Sequence, residues 1–186
     1  MVATGKAATQ GILFRDAAAI EDLRRIDTLI VDKTGTLTEG RPAFERAVAL
    51  QGNSEDEILR LAASLDQGSE HPLADAIVRA ARERGMSLDK VEQFESASGI
   101  GVHGIVGGRR LALGNVTLMA QEGIALESSP ELAQCAEELR QSGASVIHLA
   151  RDGQLLGLLA VSDPIKASTP EALASLRAAG LRVVMA

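Results

Sequence analysis

Hydrophobic residues change their spacing several times along this chain, and each change marks an element. Asp16 to Arg25 repeats apolar residues at helical spacing, and Thr28 to Val31 is a short apolar β run that ends abruptly at Asp32. Gly40 and Pro42 break the pattern after it. Ser54 and Glu57 have the spacing of a capping box and open a helix expected to run through Leu65. A second helix is expected from His71 to Arg84, closed by Gly85. The period then shortens: Ile105-Val106 and Leu111-Ala112-Leu113 flank Gly107-Gly108, which predicts a tight antiparallel hairpin. Pro130 to Gln141 is again helical in pattern, with Gly143 after it. Val146 to Leu149 then pairs with Leu155 to Val161 across Asp152-Gly153, a second hairpin. Ser168 or Thr169 caps a last helix with Pro170 in its first turn and Gly180 past its end, and Leu181 to Met185 begins another β run.

Strand, helix and strand at the C-terminal end read as the α/β pattern of the first 40 residues resuming. The chain is therefore expected to divide into 1–40, 41–161 and 162–186, with an antiparallel α+β domain inserted into an α/β one. In parallel α/β sheets ligands sit beyond the C-terminal ends of the strands. Asp32 and the polar residues after it occupy such a place.

Composition narrows the function. A chain of 186 residues with 46% hydrophobic positions can bury one ordinary core or two small ones. Aromatics make up 2%, with no Trp or Tyr, and the formal net charge is -6. Stacking platforms and basic surface are both missing, which argues against nucleic acid as a partner. Any bound phosphate has to be held locally. Cys135 is the single cysteine, so no internal disulfide forms, and its place in a helical pattern reads as a small core residue. The apolar run Leu155 to Val161, interrupted by Gly157, is far short of the roughly 20 residues of a membrane span. Met1 to Gln10 lack the apolar core of a secretion signal, so the chain reads as soluble.

Four strings carry candidate chemistry. In Asp32-Lys33-Thr34-Gly35-Thr36-Leu37-Thr38 a carboxylate stands beside a cation, hydroxyls and a glycine that permits close backbone approach. A carboxylate can attack phosphorus when a cation screens the anionic target; an aspartate that merely caps a turn is the competing reading. Ser69-Glu70-His71-Pro72-Leu73 has the residues of a helix start, where Glu and Pro are at home. Gly99-Ile100-Gly101-Val102-His103-Gly104 fits G-x-G-x-x-G, but it leads into a hairpin where a dinucleotide site needs a helix, and Gly5-Lys6-Ala7 does not make a P-loop. Gly114-Asn115 precedes Val116 to Gln121, so Asn115 alone reads as an N-cap. His103 and His148 are assigned to no metal.

The seven residues from Asp32 to Thr38 resemble the phosphorylation signature of P-type ATPases, and the resemblance extends over essentially the whole chain. It implies an α/β haloacid-dehalogenase-like (Rossmannoid) phosphorylation domain, incomplete here, with an inserted α+β nucleotide-binding domain whose antiparallel sheet is flanked by helices. Related phosphatases carry a second Asp two positions after the nucleophile; Thr34 stands there in this chain, so the acyl phosphate is expected to lose its phosphoryl group slowly and a free-standing phosphatase is the weaker reading. The Ser69 to Leu73 string resembles the nucleotide-domain signature of the heavy-metal class, which implies that His71 serves the adenine end of ATP and that Glu70 belongs to the nucleotide site. By the same resemblance Gly99, Gly101, Gly114 and Asn115 belong to the nucleotide pocket, although Ser98 stands where the family often has Pro. Asp163-Pro164-Ile165-Lys166 looks like the return hinge between domains.

The implied activity is transfer of the γ-phosphoryl group of ATP to Asp32, with Lys33 and Thr34 beside it and Mg²⁺ held by the Asp32 carboxylate and the Thr34 carbonyl. Gly5-Lys6 to Glu21 and the Glu70-His71-Pro72 string are most similar to copper(I) exporters, with zinc, cadmium or silver pumps as alternatives. The implied setting is the cytoplasmic side of a bacterial inner-membrane protein whose actuator and membrane domains lie outside this sequence. The family's further phosphate- and magnesium-holding segments would follow Ala186, so the chain by itself is expected to bind nucleotide with little turnover.

Overall fold

Two turns with positive φ at both central residues organise the larger sheet. Gly107 and Gly108 have φ of 58° and 74°, and Asp152 and Gly153 of 49° and 80°. Such pairs give a two-residue turn the twist that antiparallel strands require. They join β4 (Gly101–Val106) to β5 (Arg109–Gly114) and β6 (Ser145–Arg151) to β7 (Gln154–Ser162), the two hairpins that the Gly-Gly and Asp-Gly pairs predict. The structure is a computed structural model that describes residues 8, 9, 11, 22, 25–50 and 52–186, the side chain of Glu127 apart. Gly5, Lys6 and Glu21 lie outside the described residues, as does the helix expected over Asp16 to Arg25 except at Asp22 and Arg25.

Pairing of β5 with β6 joins the hairpins, with Leu113 opposite Leu149. Two edge strands complete a six-stranded antiparallel sheet of order β2-β7-β6-β5-β4-β3: β2 (Ala43–Ala49) against β7 and β3 (Val91–Ala97) against β4. The hydrophobic pattern announces neither, and both are irregular. The register of β2 shifts between Phe44 and Arg46, and that of β3 between Glu92 and Glu95, where Gln93 has φ 48°. The bulge in β3 leaves Val91, Phe94 and Ala97 as its less exposed positions, a spacing of three in place of two.

Alternation along the central strands buries both faces of this sheet. Leu111, Leu113, Leu149, Leu159 and Val161 join a core with α1 (Glu55–Asp66) and α2 (Pro72–Glu83). Leu158 and Ala160 pack under Leu132, Ala136 and Leu139 of α4 (Pro130–Gln141), and Ala112 and Ala150 under Leu118 and Met119 of α3 (Val116–Gln121). Each fully buried leucine contributes about 1.5–3 kcal/mol. Ser54 Oγ caps α1 by accepting from Glu57 N at 3.1 Å, but the Glu57 carboxylate accepts from Arg151 Nη1 at 2.9 Å, so only half of the expected capping box forms. Cys135 is half-buried at the rim of the α4 cluster and accepts from Arg46 Nη2 at 3.6 Å.

The chain divides into two compact units, Glu39–Pro164, which holds all of this, and Met1–Thr38 with Ile165–Ala186. In the second, β1 (Thr28–Val31) pairs in parallel with β8 (Arg182–Met185), Val31 opposite Met185, and α5 (Thr169–Ala178) precedes β8. Ser168 occupies the cap position of α5 without a side-chain cap bond.

At Gly157 of β7 a Cβ would meet Val48 O of β2 at 2.2 Å. Gly157→Ala is expected to cost about 1–3 kcal/mol through forced separation of the strands. In a thermal melt this reads as a fall of roughly 2–4 °C for each kcal/mol; an unchanged midpoint would show that the edge strand yields freely.

Candidate functional site

Asp32 follows the last residue of β1 directly. Thr34 (φ -78°, ψ 123°) and Gly35 (φ 75°, ψ -15°) have the dihedral angles of a type II turn, whose third position needs the positive φ that glycine adopts without strain. Asp32 makes no side-chain cap bond to this turn. Thr38 does the work: its Oγ1 accepts from Gly35 N at 3.2 Å and donates to Lys33 O at 3.1 Å, while its own N donates to Lys33 O at 3.2 Å. The return segment holds the loop from the other side. Lys166 Nζ donates to Gly35 O at 2.6 Å, Thr169 Oγ1 to Leu37 O at 2.7 Å, and Lys166 N to Leu37 O at 3.0 Å. Thr38 is buried, whereas Asp32, Lys33 and Thr34 are exposed. The turn is thus fastened without the Asp32 carboxylate, which is left available for chemistry.

The other unit contains a cavity of about 500 Å³. One wall comes from the α1–α2 connection with Asp66, Ser69 and His71, another from Arg140 of α4 and the first residues of β6, and the floor from the β3–β4 turn and the end of β5. Five of the residues singled out in the sequence, His71, Gly99, Gly101, Gly114 and Asn115, line it together; Glu70 is exposed beside it in the chain and does not. His71 is the N-cap of α2, its Nδ1 accepting from Leu73 N at 3.2 Å. With Nδ1 engaged as the acceptor, Nε2 is the ring nitrogen left to donate to a ligand. Helix start and ligand-facing donor are therefore compatible in one residue.

Gly101 and Gly114 are paired across β4 and β5. A Cβ on Gly101 would meet Leu113 O at 2.4 Å, and one on Gly114 would meet Ile100 O at 2.3 Å, with Leu118 Cδ2 within 2.7 Å and 2.6 Å. These glycines let two backbones close over the α3 leucine. Gly99, at φ 76° with open space around its absent Cβ, is required by conformation alone. Asn115 Oδ1 accepts from Thr117 N and Leu118 N at 2.9 Å and 3.2 Å, and its Nδ2 donates to Gly99 O at 3.2 Å, so one amide caps α3 and holds the glycine turn.

Sequence reasoning missed Asp66 and Arg140. Asp66 continues the buried stripe of α1 through Leu59, Ala62 and Leu65, and a carboxylate falling in register on an apolar stripe was the available signal. Arg140, on the last turn of α4, offered none, because a cation there also suits the helix dipole. Burial pushes the Asp66 carboxyl up to about 7. His148 on β6 is buried with Nδ1 unpartnered; desolvation first, then Arg140, lower it to about 4 against a backbone hydrogen bond at Gly114. His103 Nε2 lies 3.0 Å from Glu95 Oε2. Among the described residues no group of three or more His, Cys, Asp or Glu side chains is placed to hold a metal ion.

The Asp66 proton has a consequence for stability. Its folded value of about 7 exceeds its ordinary value of 3.8, so between those values the folded state binds more protons than the unfolded one. Its contribution is complete at lower pH and is lost as pH rises toward 7, at about 1.4 kcal/mol for each pH unit of that window. Asp66→Asn should flatten this slope in urea denaturation run between about pH 4.5 and about pH 7.5; parallel curves for the two proteins would refute it.

Residues 26–186 match the model of the haloacid dehalogenase-like hydrolases. A silver exporting P-type ATPase of Salmonella typhimurium is 46% identical over 185 residues, covering 100% of this chain and 22% of that protein. A copper-exporting P-type ATPase of Legionella pneumophila is 49% identical over 185 residues, covering 100% of this chain and 25% of that protein. The chain thus spans a quarter or less of the length of these relatives. The crystal structure of a zinc-transporting PIB-type ATPase in its E2.Pi state superposes on 98% of this chain and 29% of its own, with a TM-score of 0.84 at 32% identity. The chain belongs to the haloacid dehalogenase-like hydrolases and is similar along its whole length to a part of copper- and silver-exporting P-type ATPases.

Proposed function

We propose that this chain is the ATP-binding and phosphorylation region of a heavy-metal export pump, with copper(I) as the cargo. The observation that carries the proposal is the gathering of His71, Gly99, Gly101, Gly114 and Asn115 around one cavity of about 500 Å³, within the size of small-molecule sites. In this reading the unit Glu39–Pro164 binds ATP and the unit with Asp32 receives the phosphoryl group. Backbone approaches the nucleotide at the glycine turn, and His71 Nε2–H donates to it.

For transfer, an Asp32 carboxylate oxygen bonds to the γ-phosphorus as the bond to the leaving oxygen of ADP breaks. The loop favours this because Thr38 and Lys166 hold its shape and Asp32 is spent on neither. Thr34 leaves no carboxylic acid two residues after Asp32 to carry a proton for water attack, so the phosphoryl group is retained while the pump changes shape. Mg²⁺ binds phosphates with one or two protein carboxylates and keeps several waters. An exposed Asp32 carboxylate and the Thr34 carbonyl suit that donor set, and the ion supplies screening of phosphate charge. No helix among the described residues is long and apolar enough to cross a membrane. The proposed setting is the cytoplasmic side of a bacterial inner membrane, with metal transport in the actuator-linked membrane domains of the parent protein.

ATP titrated into the chain is expected to move the amide resonances of His71, Gly99, Gly101 and Asn115 first; largest shifts around Asp32 with none at the cavity would refute the assignment. His71→Asn keeps an N-cap acceptor but removes the Nε2 donor. It should weaken ATP binding severalfold while changing stability by no more than about 0.5 kcal/mol. In the full-length protein Asp32→Asn should abolish the hydroxylamine-sensitive phosphoenzyme and leave ATP affinity intact, because an amide is no nucleophile toward phosphorus. Persistent labelling of that variant would place the acceptor elsewhere.

A further inference from the structure

Charge is scarce in the cavity. Of the described residues that line it, Asp66 is the one acidic side chain and Arg140 the one lysine or arginine. Burial holds the Asp66 carboxyl partly protonated near neutrality, its value standing at about 7. The other polar groups are largely engaged. Asn115 uses both ends of its amide, Ser69 Oγ accepts from His71 N at 3.2 Å, and His71 Nδ1 accepts from Leu73 N. Arg140 comes from the wall formed by α4 and the start of β6, whereas Asp66, Ser69 and His71 come from the α1–α2 wall.

Arg140 is only loosely engaged. Among the described residues its carboxylate neighbour is Glu137, three residues back, with Nη1 and Oε2 3.8 Å apart and both side chains exposed. A pair of that length and exposure adds little, and the fork of guanidinium donors stays open to a ligand. Arg140 also borders a smaller cavity of about 130 Å³ lined by His148 and by apolar residues of α3 and α4. His148 is neutral at ordinary pH, so no second cation competes for an anion there.

We infer that Arg140 is the anion anchor of the larger cavity, pairing with the phosphate chain of the bound nucleotide and so distinguishing nucleoside di- and triphosphates from the nucleoside. This rests on the nucleotide reading above. Planar guanidinium donors match phosphate oxygens in pairs, and such charge-assisted bonds are about twice as strong as neutral ones. An acidic chain of net charge -6 repels such a ligand at long range, which makes a local cation the means of retention.

The test is calorimetry of this chain with ATP, ADP and adenosine, comparing wild type, Arg140→Gln and Arg140→Lys, with a thermal melt of each. Arg140→Gln is expected to weaken ATP and ADP by about tenfold and leave adenosine within about twofold. Arg140→Lys should recover part of the loss, since it restores the charge without the fork. The ATP affinity of Arg140→Gln should also fall less with added salt than that of wild type. Equal losses for adenosine and ATP would overturn the inference by showing a structural role, as would unchanged ATP affinity in Arg140→Gln while ATP still shifts the cavity amides. A wild-type chain that shows no nucleotide response at the cavity would overturn the nucleotide reading and the anchor with it.

Discussion

The close approach of β4 and β5 at Gly101 and Gly114 is the constraint on which the rest of the cavity depends. A Cβ at either position would meet a carbonyl oxygen at 2.4 Å or less, and Leu118 fills the remaining space. Because Leu118 is on α3, the strand contact also sets where that helix begins. The helix start sets Asn115, whose amide reaches back to Gly99 O. Strand pair, helix cap and glycine turn are one mechanical unit. The same geometry explains why a G-x-G-x-x-G string occurs here without a dinucleotide fold. Gly101 and Gly104 sit on a strand, and a Cβ at Gly104 would press on Val91 and Leu65. Their spacing follows the packing of a hairpin under α1 and α3 rather than a phosphate turn at a helix start.

In the other unit the corresponding economy concerns a side chain that is left out. An aspartate at a strand end ordinarily satisfies the turn that follows it. Here Thr38 Oγ1 closes the loop over Lys33 and Gly35, and Lys166 and Thr169 secure Gly35 O and Leu37 O. Lys33 O, Gly35 N, Gly35 O and Leu37 O thus each have a partner that is not Asp32. A carboxylate that accepts no cap bond keeps its lone pairs for an incoming electrophile, so exposure and the absence of a structural duty are what suit Asp32 to the proposed role.

Legibility in the sequence followed locality. Turns set by two residues, Gly107-Gly108 and Asp152-Gly153, the caps at Ser54 and Asn115, and the helix start at His71 depend on neighbours within four positions, and the structure has them where the pattern puts them. The edge strands β2 and β3 were illegible because bulges destroy the two-residue period from which a strand is read. The half-formed capping box failed for a distant cause, since Glu57 finds Arg151 across the sheet. His71, Gly99, Gly101, Gly114 and Asn115 were found through family strings, yet no local rule linked them to Asp66 or Arg140. Those two arrive from the end of α1 and the last turn of α4, and only the packing of both helices on the sheet brings them to one cavity. The buried state of Asp66 belongs to the same class: the residue type was visible, its desolvation was not.

That desolvation bears on the proposed binding of an anion by an acidic chain. An ionised Asp66 would repel phosphate within the cavity, and the repulsion would be large because apolar walls screen poorly. Removing water from the carboxyl raises its value to about 7, so the walls that would magnify the repulsion also keep much of the charge from forming. Arg140, by contrast, is exposed on the α4 wall and brings the one guanidinium among the described lining residues. Burial acts on Asp66 alone of the two groups, so below about pH 7 the exposed Arg140 charge faces a carboxyl that is largely neutral. As pH rises through 7 Asp66 ionises and that asymmetry weakens, so the cavity should hold anionic ligands less well on the alkaline side without any change in Arg140 itself.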